Sequence, residues 1–311
     1  MLSRISLRPL LAIALGLVAL APSVGCGTKK KPTLTIKQRL EKAEKEKSPD
    51  RQAAELLKVA KLQFKNNDES GAKETAARAI EKLKGEGDAN QFAPRLIDAA
   101  LFLASMNDRK PAREALATAV TLVDGVTDPV RKAQLYADAG AAYKTNTDSA
   151  DAKATLQKAA EAAATADDRF RAEALAAVAL GYTRSGLGSA AADVLEKLLE
   201  AAGNLTEPRA KAEALAAAAG VQAQSGKKKD ATKLLEDAEA AAKGVERAES
   251  RAYAFLAVAT ATQAAGENKK ALALLKEAEK AADKVPEPTS QKKAVDKVRA
   301  AITELEKKPK K

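Results

Sequence analysis

Side chains able to do chemistry are scarce in this sequence. Its 311 residues include no His, no Trp and a single Cys, Cys26. Without an imidazole there is no Ser-His-Asp or Cys-His activation of a nucleophile and no imidazole metal ligand. One thiol cannot form an internal disulfide or a Cys-based zinc or iron–sulfur centre. The stretch Gly220 to Lys227 (GVQAQSGK) approaches a phosphate-binding loop. Five residues separate its glycines where four are required, and Lys228 stands where Ser or Thr would hold magnesium. The 42 Asp and Glu are interspersed with lysines, as on solvated helix faces. Tyr136, Tyr143 and Tyr182 fall in apolar positions of a repeating pattern, which assigns them to packing. No catalytic residue, metal or cofactor is expected. What remains is the chemistry of surfaces and of one cysteine.

The elements that must carry those surfaces are helices. Hydrophobic residues make up 46% of the chain and aromatics only 3%, with Ala, Leu, Lys and Glu abundant. This is the composition of an all-α protein. Unit starts at Gln52, Phe92, Lys132, Arg171, Lys211 and Arg251 recur every 39 or 40 residues. One residue after each start stands Ala53, Ala93, Ala133, Ala172, Ala212 and Ala252. Three further on is a large side chain, Leu56, Leu96, Tyr136, Leu175, Leu215 and Phe255. Four beyond that is a small one, Ala60, Ala100, Gly140, Ala179, Ala219 and Ala259. Steps of three and four mark one face of an α-helix. A turn residue follows, Asn67, Asn107, Thr147, Gly186, Gly226 or Gly266, mostly of the types that tolerate the left-handed end of a helix. A second helix then carries Ala72, Ala112, Ala152, Ala191, Ala231 and Ala271, with large and small columns beyond. A coiled coil would need a heptad, and 40 is not a multiple of seven. The pattern predicts an all-α solenoid of six helix–turn–helix repeats over 51–290. Charged flanking helices at Thr35–Lys47 and Thr289–Glu306 are expected to cap it.

In the column order large, small, turn, Ala, large, Ala, the unit resembles tetratricopeptide repeats. Leu175, Ala179, Tyr182, Gly186, Ala191, Leu195 and Leu198 form one example. The period is 40 where that family has about 34. The resemblance implies a concave groove lined by the first helices that binds a peptide or partner helix. Carried onto this chain, the groove would include Lys58, Lys61, Phe64, Leu101, Lys144, Thr183, Arg184, Glu213, Tyr253 and Thr260. The Lys/Asn clamp by which chaperone-binding relatives hold a terminal carboxylate has no counterpart. Its positions here are Leu57, Ile97 and Ala137.

Residues 1–25 read as a signal peptide. Arg4 and Arg8 are followed by the apolar run Leu10–Ala21, too short for a stable membrane span. Ser23-Val24-Gly25-Cys26 resembles the lipobox of bacterial lipoproteins, although Ser23 stands where that family usually has Leu. The resemblance implies that Cys26 is acylated and becomes the mature N-terminus, anchoring the chain in the bacterial cell envelope. Gly27 in place of Asp implies the outer membrane by the sorting rules of such lipoproteins. The alternative is cleavage after Ala19-Leu20-Ala21, giving a secreted or periplasmic protein.

The formal net charge of +11 would by itself suggest a nucleic-acid or membrane partner. Its distribution says otherwise. Residues 26–50, the tether and first charged helix, carry eight basic and four acidic side chains. Residues 291–311, the last helix and tail, carry eight and three, and 51–290 balances at 35 of each sign. Nucleic acid is therefore not an expected partner of the repeats. Two roles follow: a lipid-anchored scaffold for a protein partner, or a structural envelope component that binds anionic lipid or polymer through its basic ends.

Overall fold

A computed structural model describes residues 34–85 and 87–307, the Arg169 side chain excepted. The expected signal peptide, Cys26, most of the tether and the last four residues lie outside the described residues. From Ile36 onward the chain forms one unit. Fourteen α-helices and no strands occur among the described residues, and none of these helices is long and apolar enough to cross a membrane.

Six hairpins make up the stack. They are α2/α3 (Pro49–Lys65, Glu69–Glu81), α4/α5 (Ala89–Ser105, Arg109–Asp124) and α6/α7 (Pro129–Thr145, Ser149–Ala164). Then come α8/α9 (Asp168–Arg184, Gly188–Asn204), α10/α11 (Pro208–Gln224, Lys228–Lys243) and α12/α13 (Ala248–Ala264, Asn268–Ala282). The chain is an all-α solenoid of helical hairpins. All six anticipated turn residues have positive φ, from 58° at Asn107 to 87° at Gly266. In each turn the next N–H reaches back five residues to a helix carbonyl, as Asp68 N to Gln63 O (3.0 Å) and Glu267 N to Thr262 O (3.1 Å). This is the bond that satisfies the orphan carbonyls of a helix end. Each turn is three residues long, and most joins between hairpins are three or four. The length beyond the tetratricopeptide period therefore lies within the helices.

The small column is fully buried and sets the approach of the helices. A Cβ on Gly140 would come within 2.6 Å of Leu156 Cγ, and one on Gly181 within 2.6 Å of Leu156 Cδ2. Leu156, with no exposed surface, is wedged between two units by glycines on neighbouring first helices. Tyr136 occupies a large apolar position and needs a partner for its hydroxyl. It donates to Asp124 in the last turn of α5, and burial with that carboxylate pushes its pKa well above the usual tyrosine value. Pro94 lies within α4 and leaves the Asn90 carbonyl without its helical donor. Arg131 Nη2 from α6 supplies one at 3.3 Å.

The flanks are half-units. α1 (Ile36–Glu44) packs on α2 as a second helix packs on the next first helix. α14 (Pro288–Lys307) contacts α13 and α12 as a first helix of a seventh unit would. Its start repeats an earlier signal: Glu287 accepts from Thr289 N (2.9 Å) and Ser290 N (2.5 Å), as Glu207 does from Arg209 N and Ala210 N. A proline follows each glutamate. Ala294 and Val298 are buried against the sixth unit. Lys292 and Arg299 take the positions where internal units carry small residues, and Arg299 Nε donates to Glu279 Oε1 of α13 at 2.7 Å.

Candidate binding groove

First helices touch first helices along the whole stack. Second helices touch their own partner and the next first helix, but hardly one another. The stack is therefore tighter on the first-helix side, and that side forms the inner wall. Counted from the unit starts, positions 2, 6, 9 and 13 of each first helix share one face at steps of three and four. This face is the groove.

Seven of the ten predicted groove residues stand on it by this count: Lys58, Lys61, Leu101, Arg184, Glu213, Tyr253 and Thr260. Phe64, Lys144 and Thr183 occupy position 12, roughly 60° round the helix from the nearest groove column. Phe64 meets the Phe102 ring edge-on at 5.9 Å. Lys144 reaches Ser149 Oγ across the turn at 3.2 Å, and the Thr183 hydroxyl donates to the Ala179 carbonyl at 2.8 Å. In the first two units the face is charged: Lys58 pairs with Glu55 (2.6 Å) and Lys61 with Asp98 (2.7 Å). Leu101 beside them is 39% exposed.

Position 6 changes character at the fourth unit. It reads Lys58, Asp98 and Asp138 in the first three, then Ala177, Ala217 and Ala257. Over the last three units α8, α10, α12 and α14 enclose a groove of about 520 Å³ that brings Arg184, Glu213, Tyr253 and Thr260 together. Its floor is Ala216, Ala217, Gly220, Ala257 and Ala261, with Leu180 and Leu256 at the sides. Two cations sit over the Tyr253 ring: Arg209 Cζ is 5.3 Å and Lys297 Nζ 5.1 Å from its centroid. Arg209 Nε also donates to Glu213 Oε1 at 2.8 Å. Such contacts between a cation and a ring face are worth about 0.5–1 kcal/mol at exposed sites. Arg209, Gly220 and Lys297 were absent from the sequence expectation. Lys297 was hidden because Lys292 breaks the Ala column that marks a unit start. The Glu287-Pro288 pair, in register with Glu207-Pro208, is the signal that could have found it.

No family model and no curated protein matches the chain. Among solved structures, a Podosopora anserina protein of nearly identical TPR-like repeats is 19% identical, with a TM-score of 0.37 over 64% of this chain and 98% of that one. A tetratricopeptide repeat protein from Parabacteroides merdae is 13% identical, with a TM-score of 0.36 over 85% and 91%. Yeast Tom70 is 16% identical, with a TM-score of 0.32 over 87% and 58%. The fold class of this chain rests on its own helices and columns.

Proposed function

We propose that this protein is a non-catalytic interaction scaffold that holds a peptide or helix of a protein partner in the groove of its last three units. The observation that carries this reading is the Ala- and Gly-floored groove, continuous across α8, α10, α12 and α14 and edged by polar and aromatic side chains. Small residues keep the floor open to a backbone or an aliphatic side chain, and the rim supplies specificity. A photocrosslinking residue placed at Ala217 in the native cell should trap one discrete partner. The same residue at Lys233, on a second helix, should not. Equal crosslinking from both positions refutes the groove.

The placement of the scaffold is inferred from sequence. The lone Cys26 directly after an apolar leader supports a lipid anchor in the bacterial cell envelope, with Gly27 favouring the outer membrane. Cys26→Ala should move the protein out of the membrane fraction, and retention there refutes the anchor. The concentration of basic residues at both ends favours a second reading, attachment to an anionic lipid or polymer surface. That attachment would weaken with added salt.

A further inference from the structure

We infer that the segment bound in the groove is acidic, with a carboxylate set against Arg209 and Lys297 and an aliphatic side chain over Gly220; this rests on the groove reading above. Two independent observations lead there. The first is charge. Arg184, Arg209 and Lys297 line the groove against one carboxylate, Glu213. Glu213 is committed to Arg209, and Arg184 has only Asp138 at 3.9 Å. Among the described residues Lys297 has the Tyr253 ring and no ion pair. Arg184 and Arg209 belong to the charge-balanced body, 51–290, and Lys297 to the basic segment 291–311 that closes over its end. An anion beside Tyr253 finds two cationic donors, Arg209 and Lys297, each already held against that ring.

The second observation is Gly220. A glycine inside a helix costs about 1 kcal/mol relative to Ala. Gly140 and Gly181 have a packing reason, the side chain of Leu156. Gly220 has none: a Cβ there would meet nothing within 4 Å. No intramolecular neighbour uses the space, and the position opens into the groove. It makes room for a side chain brought by the partner.

The test is selection of displayed random dodecapeptides on the full chain. Peptides recovered should carry Asp or Glu together with Leu, Ile or Val. Their affinity should fall about tenfold or more on Lys297→Glu, and they should be lost on Gly220→Leu. Gly220 has room for a Cβ and Lys297 is an exposed position of α14, and thermal melts of both variants check that they fold. Peptides lost on Gly220→Leu but lacking carboxylates, or indifferent to Lys297→Glu, overturn the acidic partner and leave the groove reading standing. If no recovered peptide distinguishes wild type from Gly220→Leu, both fail. If phosphatidylglycerol vesicles bind through Lys297 and displace the peptides, the cations serve a lipid surface and the proposal is overturned.

Discussion

Replacing Gly by Ala inside a helix ordinarily stabilises it by about 0.5–1 kcal/mol. In this chain the same substitution should act with opposite signs at two equivalent-looking places. At Gly140 the new methyl would stand 2.6 Å from Leu156 Cγ, 3.0 Å from its Cδ2 and 3.2 Å from the Ala152 carbonyl. Leu156 cannot retreat, because its other side is closed by the Gly181 backbone. Overpacking of this kind costs about 1–3 kcal/mol. Set against the helix gain, Gly140→Ala should destabilise by about 1–2 kcal/mol. At Gly220 no atom lies within 4 Å of the new methyl, so the helix gain stands alone. The two variants should therefore differ by about 2 kcal/mol. Urea unfolding of the full chain followed by circular dichroism reads the sign. Amide exchange in α6 and α10 localises it, which matters in a stack whose units can open separately. A shift of the same sign in both variants, or a neutral Gly140→Ala, refutes the argument that local space decides.

Thr147 is the β-branched member of the turn column, at φ 73°. Thr147→Asn should stabilise by about 1 kcal/mol, after loss of the exposed bond from Arg109, and Asn67→Thr should do the reverse; paired melts check both. Two backbone N–H groups hold the Glu287 carboxyl at about 2, below its usual 4.5. Its contribution to α14 is therefore present above about pH 4.5 and lost as pH falls toward 2. An NMR titration placing Glu287 at an ordinary glutamate value would contradict this. Lys292→Ala with Arg299→Ala restores small residues to the open face of α14. The double variant should associate end to end more strongly than the wild type, as read by sedimentation, and equal association refutes this.

The hairpins and their turns were legible in the sequence because they depend on local geometry. A column that returns every three or four residues declares which side of a helix it occupies, and a residue able to take positive φ declares where the helix stops. The three predicted residues at position 12 stand off the groove face for the same reason, since one residue of phase rotates a side chain by about 100°. The charges of α14 mark it in the sequence as a flanking helix. Its inward face was not read, because Lys297 has no helical neighbour that gives it a role.

What the sequence alone determined, then, is the repeat: six hairpins, their buried Ala columns and a body without net charge. Tertiary structure alone decided that Arg209, Tyr253 and Lys297 meet. They come from three helices spread over 88 residues, and their meeting depends on how each unit is rotated on the last. That rotation is set by the packing of Ala against Ala between units. Many such packings are compatible with the same column of small side chains, so no spacing along the chain encodes it.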